Sequence, residues 1–322
     1  MEVFQSQLGT SAKELEKFLI ESSWQHPFLV VSDLDFVQGV PQPTEAEFAS
    51  MAEVCDVFVK NCLENQRLVS ADFEGEMPGY GGLLTVAQFH IVSPREERTP
   101  GLLIDLRSER CVALARAVME SEGQKLQWGA DGDCISLMYQ THPMSLGIVP
   151  NGVVDLQLGF SQLPRRLGMA RMLERLGPVP FDGLPGKNQI DFDEPHSKNC
   201  AALKFPLGLV EVAYSVDDLH RIEAIYHSQG CDAAFLNRTR EVTDKIQRGL
   251  EEDKWGKGLL HREFGYLHQK EGRRQQCKAV QLMRHLKWLV IHKQKVDPMM
   301  MNAVQGVLQG MQIPEDLSFG EE

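Results

Sequence analysis

Apolar and polar positions alternate through LVSADFEGE, residues 68–76, where Val69 and Ala71 interleave with Ser70 and Asp72. A period of two predicts a strand. Side chains two apart leave the same face, so Asp72 and Glu74 project together from the end of that strand. LLTVAQFHIV (83–92) and GLLIDL (101–106) predict two further strands close behind it, hence an antiparallel meander. Residues 28–31 read as a buried strand and KLQWGA as a short one. A period near 3.6 predicts helices elsewhere. Residues 45–63 show it through Phe48, Met51, Val54, Val57 and Phe58, and residues 206–228 through Leu209, Val212, Val216, Leu219, Ile222 and Ile225. CVALARAVMES, DGDCISLMYQ and ARMLERLG are shorter helical segments. Ser11 and Glu14 have capping-box spacing ahead of Leu15, Phe18, Leu19 and Ile20, which predicts an opening helix over 11–24. Residues 177–200 are a loop by composition.

From about Cys231 strand signals fade and charged helix follows. Residues 278–295, KAVQLMRHLKWLVIHKQK, contain no acid. Ala279, Leu282, Met283, Leu286, Leu289 and Val290 form an apolar stripe there, with Lys278, Arg284, Lys287, Lys293 and Lys295 beside it. Such a helix packs its stripe on a domain, or binds nucleic acid or a protein partner through its basic side, and the two uses are compatible. The chain therefore divides into an N-terminal helix (1–27), a central α/β domain (28–230) and a helical C-terminal extension (231–322).

Composition narrows the classes. The chain has 322 residues, 43% hydrophobic and 24% charged, as expected of a globular protein, and no apolar run long enough for a membrane span. The seven cysteines are scattered, odd in number and free of C-x-x-C, which points to an intracellular protein, nuclear or cytoplasmic, with reduced thiols rather than a disulfide or zinc scaffold. Net charge is −12, which argues against avid, sequence-independent nucleic-acid binding but leaves room for a local basic groove. HExxH, P-loop and GxGxxG motifs are absent.

Three acidic signals line up with strand and helix positions. Asp72 and Glu74 close a strand; Asp133 in GADGDC follows a short strand and opens a helix; Tyr214 and Asp218 in YSVDDL are four apart on one helix face. Hard divalent cations prefer such oxygen ligands, and two-metal phosphoryl chemistry needs several carboxylates around two cations about 4 Å apart. The bland alternative is a set of solvated acids. His90, His142 and His220 read as structural or surface residues, and Arg165, Arg166, Arg171 and Arg175 as a solvated face. Asp155 in VVDLQLGF reads as a cap or support.

D-x-E, an Asp in G-A-x-x-D and Y-x-x-x-D, in this order and spacing, resemble the three motifs of the DEDDy 3′–5′ exonucleases, the superfamily of RNase D, its exosome-associated relatives and the Werner exonuclease. The resemblance runs from about residue 28 to 228 and includes LLTVAQFHIV, GLLIDL, VVDLQL, MARMLERLG and PLGLVEVAYSVDDL ahead of IEAIY. It implies an RNase H-like mixed sheet flanked by helices and cleavage by two Mg²⁺ or Mn²⁺ ions. In that reading Asp72 bridges both cations, Glu74 and Asp218 complete the tighter site, Asp133 holds the second cation through water, and Tyr214 positions the attacking water. G-A-x-x-D selects Asp133 over Asp131, and Y-x-x-x-D selects Asp218 over Asp217. Two features depart from the family. Phe73 stands where Thr is frequent, and the W-x-x-R-P-L approach is reduced to Lys204, Pro206 and Leu207 with Phe205 interposed. The implied partner is single-stranded nucleic acid, RNA ahead of DNA, with a protein partner for the C-terminal helices and no membrane. The alternatives are a DNA exonuclease with the same site, and a non-catalytic binding or scaffold protein of the same fold.

Overall fold

The computed structural model describes residues 14–22, 26–64, 67–76, 82–92, 100–140, 145–161, 167–176 and 203–252, together with Met283, Leu286, Asn302 and Gln305. Its strands are β1 (Leu19–Glu21), β2 (Pro27–Val31), β3 (Val69–Glu76), β4 (Leu83–Ile91), β5 (Gly101–Asp105), β6 (Lys125–Gln127) and β7 (Val153–Asp155). They form one sheet in the order β1-β2-β5-β4-β3-β6-β7. The meander β3-β4-β5 is antiparallel, as the closely spaced strand patterns predict. β2 joins β5, β6 joins β3 and β7 joins β6 in parallel, so the sheet is mixed.

Helices cover both faces, because both faces are apolar. On one side α1 (Glu45–Glu64), α2 (Glu109–Glu120) and α3 (Asp131–Tyr139) enclose a core with Met51, Val54, Ala115, Val118 and Leu137 against Val31, Ala71, Phe89 and Ile104. On the other side lie α4 (Leu156–Phe160), α5 (Met169–Leu176) and α6 (Leu209–Ser228). The apolar residues of α6 split between two clusters. Val212, Val216 and Leu219 pack on Phe28, Val30, Val86 and Leu103, whereas Ile222 and Ile225 pack on Leu126 and Val154. Burying one such side chain stabilises the fold by about 1.5–3 kcal/mol. α6 thus straddles the sheet above β3.

The last described helix, α7 (Ala233–Glu252), packs on β7 and α4. The Thr243 hydroxyl accepts from the Asp155 N–H at 3.1 Å, and Gln247 donates to Cys134 Sγ at 3.2 Å. Of residues 278–295, Met283 and Leu286 are described, and both are helical and buried.

Two predicted boundaries need correction. Of the opening helix expected over 11–24, Glu14 is helical, a 3-10 turn covers Glu16–Phe18, and β1 follows in place of further helix. Leu15 and Phe18 are buried as the helical pattern requires. Leu19 and Ile20 instead pair with Leu29 and Phe28. The edge-strand ladder with β2 takes these two residues out of the helical pattern. The helix expected from residue 206 begins at Leu209. Before it, Leu207 donates to Phe36 O at 2.7 Å and accepts from Gln38 N at 2.9 Å, which keeps the chain extended there.

Candidate functional site

The register of strand and helix decides what meets. Ser70, Asp72 and Glu74 leave β3 on the α6 side, about 6.8 Å apart. Four to five residues of helix rise about 6–7.5 Å. An antiparallel helix therefore matches this strand step for step. Glu74 lies by Tyr214, Asp72 by Asp218, and Ser70 by Glu223. Asp72, Glu74 and Asp218 each offer a carboxylate oxygen, and these oxygens lie within 4.8 Å of one another. Two such charges 4 Å apart repel by about 4 kcal/mol near a protein surface.

The lower end of this ladder is a polar anchor. Glu223 Oε1 accepts from Ser70 Oγ at 2.5 Å and meets His90 Nδ1 at 2.7 Å. The His90 ring meets His26 edge-on at 4.8 Å between centroids. His220, beside this group, is pushed down to about 4, chiefly by burial, so its imidazole is neutral at physiological pH. Reading His90 and His220 as structural therefore agrees with their surroundings; His142, Arg165 and Arg166 lie outside the described residues, and Arg171 and Arg175 are exposed on α5.

Close backbone approach holds the upper end. The β3–β4 register shifts between Glu74 and Gly75. A Cβ on Gly75 would sit 1.8 Å from the Leu83 carbonyl oxygen, so only glycine fits directly after Glu74.

Asp133 reaches the site by a different device. β6 ends at Gln127, and Gly129, two residues on, has a φ of 76° that places it in the left-handed region. The turn is gripped by Asp155, which is fully buried. Its Oδ1 accepts from Gly129 N and Gln157 N, each at 2.9 Å, and its Oδ2 accepts from Ala130 N at 3.1 Å. Asp155 thus supports two elements at once: through Gln157 N it caps α4, and through Gly129 and Ala130 it holds the turn that leads into α3 with Asp131 and Asp133. Asp133 is buried and its carboxyl is held well above the usual carboxylate range, first by burial and then by the charges of Asp72, Asp155, Asp131 and Asp218. It stands beside the triad and outside its tight oxygen cluster.

Tyr214 is buried as well. Burial, then Glu74, Asp218 and Asp72, push its phenol far above the ordinary value, so it keeps its proton at any working pH. Asp217, the neighbour of Asp218, is turned away and paired with Arg221 Nε at 2.8 Å. Near the start of α6 the Arg107 guanidinium lies 3.6 Å above the Phe205 ring while gripping Asp105 through Nε and Nη2, both at 2.8 Å. A cation therefore does sit at the altered approach to α6, supplied by the end of β5.

The five expected residues thus gather in one place: Asp72, Glu74 and Asp218 as a tight cluster, Asp133 and Tyr214 at its edges. Oxygens within 4.8 Å suit a small hard cation, because Mg²⁺ holds its ligands at about 2.0–2.1 Å and so spaces opposite oxygens about 4 Å apart. Sequence reasoning passed over Gln88. It is fully buried and is the cross-strand partner of Asp72. The signal was present, since Gln88 and His90 are polar positions two apart in an otherwise apolar strand.

A scan against protein-family models finds no match, and no curated protein matches the chain. Solved structures do show similarity. Trypanosoma brucei RNase D in complex with RNA U12 is 15% identical, with a TM-score of 0.47, over 74% of this chain and 74% of that one. Escherichia coli RNase D is 16% identical, TM-score 0.42, over 76% of this chain and 59% of that one. The catalytic core of RRP6 from Trypanosoma brucei is 14% identical, TM-score 0.42, over 81% and 77%. These likenesses are at low identity, and they assign no activity to this chain.

Proposed function

We propose that the chain is a metal-dependent 3′–5′ exonuclease that releases nucleotides from single-stranded ends, RNA in preference to DNA. The observation that carries this is the convergence of Asp72, Glu74 and Asp218 from a strand and a helix far apart in sequence, with Asp133 and Tyr214 alongside. A scaffold has no physical need to hold four carboxylates together against their own repulsion. When bound, two divalent cations, Mg²⁺ or Mn²⁺, would activate water and stabilise the charge developing on the phosphorus oxygens. Asp72, Glu74 and Asp218 would hold the tighter cation, Asp72 being shared with the second, which Asp133 would hold through water. Tyr214, buried beside Glu74 and Asp218, would orient the attacking water through its hydroxyl. The exonuclease unit in this reading spans residues 28–230, with the helical region from 231 as an extension.

The test is degradation of 5′-labelled single-stranded RNA and DNA of one sequence, with Mn²⁺, Mg²⁺ or chelator. A metal-dependent ladder shortening from the 3′ end is expected, faster on RNA and absent in Asp72→Asn. Retained binding with no ladder on either polymer would overturn the enzyme reading in favour of the scaffold.

A further inference from the structure

Gln88 is the interior position whose chemistry the fold leaves unexplained. It is completely buried in β4, and neither its Nε2 nor its Oε1 has a hydrogen-bond partner among the described residues. Native proteins satisfy most buried amides, so one left open on both atoms points to a group that arrives later.

Its surroundings narrow what that group is. In the β3–β4 register Gln88 stands directly opposite Asp72, so both side chains leave the same face. Directly opposite Cβ atoms are about 4.5–5.5 Å apart, within reach of a glutamine side chain. On the other flank its partner is Leu103, part of an apolar cluster with Phe28, Val30 and Val86. The polar neighbours on the lower side, Ser70 and His90, are both joined to Glu223. Directly beside it across the ladder stands Asp72, and a carboxylate has room for several donors on its two oxygens.

We infer that Gln88 is a positioning residue for Asp72: its amide takes up the Asp72 carboxylate when a divalent cation draws Asp72, Glu74 and Asp218 together. This rests on the metal-binding reading above and adds a residue to it. The amide is open in the unloaded protein and bonded in the loaded one. It stabilises the loaded state alone and fixes the orientation in which Asp72 presents its oxygens. Groups of this kind beneath metal ligands are worth about 10–100-fold in metal affinity.

The experiment is calorimetric titration of Mn²⁺ into the parent protein, Gln88→Met and Asp72→Asn, with thermal midpoints in chelator. Methionine matches the shape and makes no hydrogen bond. Gln88→Met is expected to melt in chelator at or above the parent midpoint, since it removes an unpaired buried amide, and to bind Mn²⁺ about 10–100-fold more weakly. A purely structural glutamine gives the reverse, a lower midpoint and parental Mn²⁺ affinity, and that result overturns the inference. Asp72→Asn separates the two levels. If it loses Mn²⁺ binding while Gln88→Met keeps it, the Gln88 role falls and the metal site stands; if neither loses it, the metal site itself falls. Should Gln88→Met fail to fold, the parent protein decides. The Gln88 side-chain amide resonances must then move in step with Mg²⁺ saturation, and resonances that stay put refute the role.

Discussion

Replacing Asp155 with alanine probes how the fold aims its second acidic motif. The carboxylate is fully buried and accepts from three backbone N–H groups, those of Gly129, Ala130 and Gln157. Hydrogen bonds to a charged group contribute about 1.5–3 kcal/mol each, and orphaned buried donors carry their full desolvation cost. The gross loss is then about 4–9 kcal/mol. Two effects reduce it. Water can enter the vacated space, and removing the Asp155 charge relieves Asp133, whose carboxyl that charge helps to push up. A net loss of about 3–5 kcal/mol remains, lowering the melting midpoint by roughly 4–7 °C for a chain of this size. The chain holds its own control. Asp232 caps α7 through one bond to Phe235 N at 2.7 Å at an exposed position. Asp232→Ala is expected to cost about 1 kcal/mol. Urea unfolding of parent and both variants, followed by circular dichroism, measures the two losses together. Equal losses would refute the claim that Asp155 is the buried keystone of the turn before α3.

Two further outcomes follow from the site. Tyr214→Phe removes a hydroxyl that stays protonated beside Glu74, Asp218 and Asp72, so single-turnover hydrolysis should slow by about 10–100-fold while substrate affinity changes little; a loss confined to affinity would make Tyr214 a binding residue. Asp133 binds its proton more tightly folded than unfolded, so in chelator stability is greatest below the ordinary carboxylate range and falls as pH rises through the elevated folded value. Asp133→Asn should therefore out-melt the parent at pH 8 in chelator and lose that advantage near pH 4, and a midpoint difference that does not change with pH would contradict the assignment.

Local pattern made much of this protein legible. Period-two alternation placed Asp72 and Glu74 on one face of β3, and 3.6-periodicity placed Tyr214 and Asp218 on one flank of α6. Both depend on backbone geometry within a few residues, which side-chain sequence reports directly. Motif spacing distinguished Asp218 from Asp217, and the fold adds the physical difference: one joins the acid cluster, the other pairs with Arg221. Leu19 and Ile20 depart from the helical pattern they share with Leu15 and Phe18, because an edge ladder with β2 is available only once the sheet exists. Asp155 looked like a minor cap, and its grip on Gly129 and Ala130 before α3 depends on β6 and β7 lying side by side. Gln88 stood out in the sequence only as a polar position in β4, since an unpaired amide is defined by what fails to surround it. The tertiary structure alone decided that α6 crosses β3 in register, because that alignment arises from burying Val212, Val216, Leu219, Ile222 and Ile225 on strands from distant parts of the chain. The acids meet as a consequence of that burial, and no local run of residues encodes it.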